Sequence, residues 1–288
     1  MRRLALVAAS TIAMACASHT TPSNPTPTNP AAPPPPPPPP PATQTVRLGP
    51  SALRYLMHQV VHIEQEFQGM RQPLDFGLRV YFAVTISGPA DSVGYPTTIT
   101  IDSLAPDSGT TVPMGINLGA AKGLSYRGRL SPRGELRNPV PSDSAAAQAV
   151  SPIVGSFRNF FPRVPAGGLT LGAAWTDTTT ENDRNAGNIT ITSVNRSTAV
   201  AWEDRNGARA LRMEVSTEFK LQGSGQQAGQ QFQVNGNGVR GGIDFIAIDG
   251  RYLGGESRDS TSMTITLPVQ AMTIPRTQVS RTTVTVLP

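Results

Sequence analysis

The residue types that could do chemistry in this chain are few. Cys16 is the only cysteine, so it has no disulfide partner within the chain, and use as an acyl anchor explains it best. His58 and His62 stand four apart with Glu64 and Glu66 close by, a spacing that suits metal ligands on one helical face. The chain has no H-E-x-x-H, and its third histidine, His19, lies far from this pair. On a strand, 58, 62, 64 and 66 share one face and read as a solvated surface. Asp244 and Asp249 resemble a carboxylate pair, but Asp249 precedes Gly250 and is better explained by a turn. No G-x-S-x-G is present. Gly223 to Gly229 is rich in glycine yet lacks the Lys-Ser/Thr of a phosphate loop and precedes a strand, so it reads as a hairpin tip. Arg240-Gly-Gly242 is a single instance and does not indicate RNA. No enzyme, metal site or cofactor is expected.

The remaining constellation is aromatic. Phe157, Phe160 and Phe161 fall on a helical pattern, and Trp175, Phe219 and Phe245 fall on strand patterns. They form either an ordinary core or the lining of an apolar cavity for a lipid or similar hydrophobe.

These groups hang on a chain whose first residues carry an address. Arg2 and Arg3 precede an uncharged run, Leu4 to Met14, followed by Ala15 and Cys16. A positive start, a short apolar core and small residues at its end describe a secretory signal. The run is shorter than the roughly 20 apolar residues that span a bilayer. Ala13-Met14-Ala15-Cys16 resembles the lipobox of bacterial lipoproteins, although Ala13 stands where Leu is usual. That resemblance implies removal of residues 1–15 and acylation of Cys16. Cleavage after Ala13-Met14-Ala15 as an ordinary A-x-A site is the alternative, and both routes export the chain. Ala17 in place of Asp implies the outer membrane by the lipoprotein sorting rule.

Residues 16–45 form a tether. Their Ser, Thr, Asn and Pro cannot build a core. Pro33 to Pro41 suit a polyproline II spacer of nearly 30 Å, at about 3.1 Å per residue. A ligand for a proline-binding groove is the weaker alternative. Charged residues make up 15% of the chain and apolar ones 38%, so the part beyond the tether can bury a core. The net charge of +5 drops to about +3 once Arg2 and Arg3 leave, too little and too scattered for nucleic acid. Lys122 and Lys220 are the only lysines, a bias that fits coding in a GC-rich genome.

Residues 46–288 read as strands. Leu74 to Ser87 alternates Phe76, Leu78, Val80, Phe82, Val84 and Ile86 with Arg79, Tyr81 and Thr85. Ser51 to Phe67 fits helical spacing and strand alternation alike, and Gly69 favours a hairpin with the next segment. Further strands are predicted at Thr97–Leu104, 123–130, 135–140, 209–221, 242–248, 251–256, 263–269 and 282–287, with turns at Ser131–Gly134, Asn206-Gly207 and Asp249-Gly250. Ser142 to Phe161 is the one helical region, capped by Ser142 or Asp143 and restarted after a kink at Pro152. The fold expected is mainly β: a single curved antiparallel sheet or half-barrel whose concave face a short helical segment covers.

With its leader, half-wet strands and the segment Phe161-Pro-Arg-Val-Pro-Ala-Gly-Gly-Leu-Thr-Leu-Gly-Ala-Ala-Trp175, the chain resembles bacterial envelope lipoproteins of no assigned role. Their fold is similar to lipoprotein carriers of the LolA/LolB type. The resemblance implies a helix-covered curved sheet able to hold an acyl chain, and it transfers no catalytic residue. The expected partners are therefore a membrane, through the anchor, and a hydrophobic ligand. A structural or interaction protein with a filled core is the alternative. An outer-membrane barrel is disfavoured, because aromatics are only 6% and the chain ends in Pro288.

Overall fold

The computed structural model describes residues 44–67, 69–110, 118–154, 157–183, 188–227 and 230–288. The strands are β1 Ser51–Phe67, β2 Met70–Ile86, β3 Tyr95–Pro106, β4 Ser125–Leu130, β5 Leu136–Pro141, β6 Ala174–Asp183, β7 Asn188–Arg205, β8 Ala208–Gln227, β9 Gln230–Ala247, β10 Tyr252–Leu267 and β11 Met272–Leu287. Among the described residues there is one α-helix, α1, over Ser144–Val154.

All eleven strands form one open antiparallel sheet in the order β5-β4-β3-β2-β1-β11-β10-β9-β8-β7-β6. Two meanders, β1 to β5 and β6 to β11, meet where β1 pairs with β11. β5 and β6 are therefore the two edges, and the segment between them must pass from one edge to the other. That topology explains why the helical region lies in mid-chain.

The ambiguous segment is strand throughout. β1 pairs with β2 along its whole length and with β11 over Arg54–Gln65. Tyr55, Val61 and Ile63 are buried on one face, while Val60 on the other is 45% exposed. Pairing on both sides satisfies every backbone group along most of its length, which a lone helix here could not add to. The inner face of β2 carries Leu78, Val80, Phe82, Val84 and Ile86, all buried.

Turn chemistry holds the hairpins. Asn206 and Gly207 both have positive φ, 52° and 72°, as a two-residue type I′ turn requires. Gly134 N–H donates to the Ser131 carbonyl at 3.0 Å, closing the predicted turn between β4 and β5. Gly250 has φ +89°, and a Cβ there would meet the Arg47 carbonyl oxygen at 2.2 Å. The chain enters the domain beside that turn. Val46 bridges Leu169 with hydrogen bonds of 2.8 and 2.7 Å, and Val46 and Leu48 are buried.

Three expectations need correction. The helical region is shorter than 142–161: α1 covers Ser144–Val154, and Phe157–Asn159 is a separate 3-10 turn. Asp143 is its cap, accepting from Ala146 N–H at 3.0 Å. The predicted tip at Gly223 belongs largely to β8, which runs on to Gln227. Finally, 251–256 and 263–269 are not separate strands, because β10 is continuous from Tyr252 to Leu267. The intervening Ser257 to Ser262 is polar on both faces, so it lacks the alternation that marks a strand.

Candidate functional site

The inner face of the sheet has two zones. In the first, residues after α1 lie on the strands through an aromatic cluster. The Phe160 ring centroid is 5.2 Å from Tyr55, 5.1 Å from Phe82 and 5.4 Å from Tyr252. Phe157 sits 5.3 Å from Phe82 and 5.4 Å from Tyr126. Phe161 is 4.9 Å from Phe160. Phe157 and Phe161 are buried, and Val150 of α1 belongs to the same core. Rings thus fill the contact between this segment and β1, β2 and β10.

In the second zone a cavity of about 430 Å³ opens beside that cluster. Phe160, Phe161 and Arg163 form one wall. The floor comes from the inner faces of β7 to β11, and β6 supplies the far side with Thr179 and Glu181. Cross-strand pairing explains why its floor is polar. Asp177, Asn195, Thr217, Arg240, Asp259 and Ser280 are successive partners on β6, β7, β8, β9, β10 and β11. They make one rung across six strands, and its middle four, Asn195, Thr217, Arg240 and Asp259, line the cavity. Within it Thr217 Oγ1 donates to Asn195 Oδ1 at 2.8 Å, and Ser280 Oγ donates to Asp259 Oδ2 at 2.5 Å. Both hydroxyls are buried, so these bonds offset the cost of removing them from water.

One rim is latched. Asn159 Nδ2 donates to Glu181 Oε1 at 2.6 Å, joining the 3-10 turn to edge strand β6. Behind the wall, Tyr55 Oη donates to the Tyr252 carbonyl at 2.7 Å, and Tyr252 Oη donates to Asp244 Oδ1 at 2.7 Å. Asp244 keeps a thin edge toward the cavity and is crowded by protein on every other side. That burial raises its carboxyl above the usual range, and the Tyr252 bond and Arg240 only partly oppose it. Burial, with the Asp244 charge, likewise holds Tyr252 far above an ordinary phenol.

The sequence-predicted aromatics divide between the zones. Phe157, Phe160 and Phe161 are together, and Trp175 packs against the same core. Phe219 stands further along β8 in the cavity lining, its ring over Gly238. Phe245 is not with them. It sits on the opposite face in a small cluster with Ala210, Ala247 and Leu253, under the Arg205 guanidinium at 4.0 Å. Odd and even positions of β9 point to opposite faces, and Phe245 follows the inward Asp244. Cys16, the leader and most of the tether lie outside the described residues.

The histidines serve separate carboxylates. His58 Nε2 meets Asp107 Oδ2 at 2.7 Å, and His62 Nδ1 meets Asp75 Oδ1 at 2.6 Å. The Asp75 bond, then the Glu64 one, raise the His62 pKa. Among the described residues, no group of three or more His, Cys, Asp or Glu is placed to hold a metal. Asp249 accepts from Arg251 N–H and Nε in its turn, as its sequence context implied, apart from Asp244.

No family model and no curated protein sequence matches the chain. A solved structure with some likeness is that of a DUF1329 family protein from Desulfovibrio piger ATCC 29098, at 9% identity over 80% of this chain and 85% of that one. Its TM-score is 0.15, an overlap that bears on neither fold nor function.

Residue patterning could have found the polar rung only with the register in hand. Asp177, Asn195, Thr217, Arg240, Asp259 and Ser280 are spread over a hundred residues, and nothing local links them. With rings on one wall and hydroxyls, amides and carboxylates on its floor, the cavity suits an amphipathic molecule rather than a purely apolar one.

Proposed function

We propose that the chain is an exported, lipid-anchored binding module of the cell envelope. Cys16 carries the acyl anchor, residues 17–45 are the spacer, and the domain stands off the outer membrane on its periplasmic side. The segment from α1 to Phe161 covers the concave face of the sheet, as in the carriers the chain resembles. The ligand is a hydrophobic molecule with a polar end. The observation that supports this reading is the cavity of about 430 Å³ with Phe160 and Phe161 on one wall and Asn195, Thr217, Arg240 and Asp259 of the polar rung on its floor. No catalytic role is assigned to Asp244, whose bond to Tyr252 accounts for its placement.

Binding of a fluorescent fatty acid tests it. Ser193 is half-buried and faces the cavity without belonging to the core. Ser193→Trp should abolish uptake while leaving the melting temperature unchanged. Uptake equal to wild type in that variant would refute the site.

The rival reading, a structural or interaction protein of the envelope, draws on the filled aromatic contact. Phe157 lies outside the cavity lining and is packed on Phe82 and Tyr126. Wild-type protein that takes up no amphipath would favour it.

A further inference from the structure

The outer face of the sheet, opposite the cavity, carries an uncompensated pair of cations. Arg258 of β10 and Arg281 of β11 are direct cross-strand partners. Like charges in that position repel. Among the described residues neither arginine has a carboxylate within ion-pair distance, whereas the nearby Arg196 and Arg212 are paired with Glu218 and Glu203 at 2.7 and 2.8 Å. Glu214 is likewise taken, by Arg212 at 2.6 Å. The next strand gives the pair room. Gly241 faces Arg258 across β9 and β10, and a Cβ on it would meet nothing within 4 Å. The result is a depression of about 520 Å³ lined by Arg196, Gly241, Glu256, Arg258 and Arg281. Of the charges without an ion pair, two are positive and one, Glu256, is negative.

The geometry points to an anion site here, built to receive a phosphomonoester group. Two guanidinium forks converging on one open floor can each give parallel N–H bonds to phosphate oxygens. A bound dianion turns the Arg258–Arg281 repulsion into two attractions. The site lies on the other face from the proposed ligand cavity and does not depend on it. A free phosphate and a phosphatidic acid headgroup present the same chemistry.

The test is titration of the ¹⁵N-labelled full chain with inorganic phosphate, and separately with a short-chain soluble phosphatidic acid, following the arginine Nε–H resonances. The Arg258 and Arg281 signals should shift and saturate, and the melting temperature should rise with ligand. Tighter binding of inorganic phosphate identifies a free anion; binding of the lipid at least about tenfold tighter, some 1.4 kcal/mol, identifies a headgroup. Arg258→Gln with Arg281→Gln should lose both. Gly241→Glu keeps both arginines but places a carboxylate directly across from Arg258, and it should weaken binding at least tenfold. The inference is overturned if neither compound shifts these signals, or if Gly241→Glu binds as well as wild type.

Discussion

The same inner face of one sheet is dry and aromatic in one zone and wet and polar in the next. Tyr55, Phe82 and Tyr252 lie under Phe157, Phe160 and Phe161. Further along β10, and on β11 and β8 of the same sheet, Asp259, Ser280 and Thr217 take the same face. The difference lies in the cover. Where the crossing segment supplies rings, the sheet can bury rings in return; beyond it a cavity opens, and its lining turns to hydroxyls, an amide and a carboxylate. An edge-to-edge crossing of an open sheet therefore fixes a boundary between core and cavity without any change in strand geometry.

The largest break in this comparison is on the dry side. Phe157→Ala removes a buried ring packed on Phe82 and Tyr126, and it should cost about 3–5 kcal/mol by denaturant unfolding. A loss under about 1 kcal/mol would mean that the ring lines a space rather than fills one.

On the wet side the effects are smaller. Thr217→Val keeps the shape but removes the donor to Asn195, and it should cost about 1 kcal/mol. No change in the denaturation midpoint would show that water replaces the hydroxyl and that the rung is solvated.

Asp244 lies at the boundary, and pH sharpens the comparison there. Its folded pKa is raised by burial, so the stability it contributes is fully present below the pKa of an unfolded aspartate. That contribution is lost as pH rises through the folded value. Asp244→Asn, whose amide oxygen can still accept from Tyr252, should therefore be the more stable form at neutral pH. The advantage should vanish in acid. An Asn variant less stable than wild type at neutral pH would mean that the charge itself is stabilised.

The smallest effect is expected on the outer face. Arg196→Ala breaks the exposed pair with Glu218 and should change stability by no more than about 1 kcal/mol, less in high salt. A larger loss would show that this face is not free in solution.

These zones were unequally legible in the sequence. The alternation from Phe76 to Ile86 and the Asn206-Gly207 turn gave β2 and the β7–β8 hairpin, because strand period and turn chemistry are local properties. The phenylalanines at 157, 160 and 161 also announced themselves by spacing, although α1 spans only Ser144–Val154. Phe245 misled because hydrophobicity does not say which face a residue takes; its neighbour Asp244 is the one that turns inward. The polar floor was hidden for a different reason. Asn195, Thr217, Arg240 and Asp259 meet only through register, and register depends on hairpins that close far apart in the chain.

Mass spectrometry under native conditions, on the full chain isolated from its own envelope, tests the central claim most directly. The account predicts a population heavier than the acylated chain by one amphipathic molecule, released by organic solvent and absent from Ser193→Trp. A wild-type population at the mass of the acylated chain alone, with no releasable molecule, would contradict it.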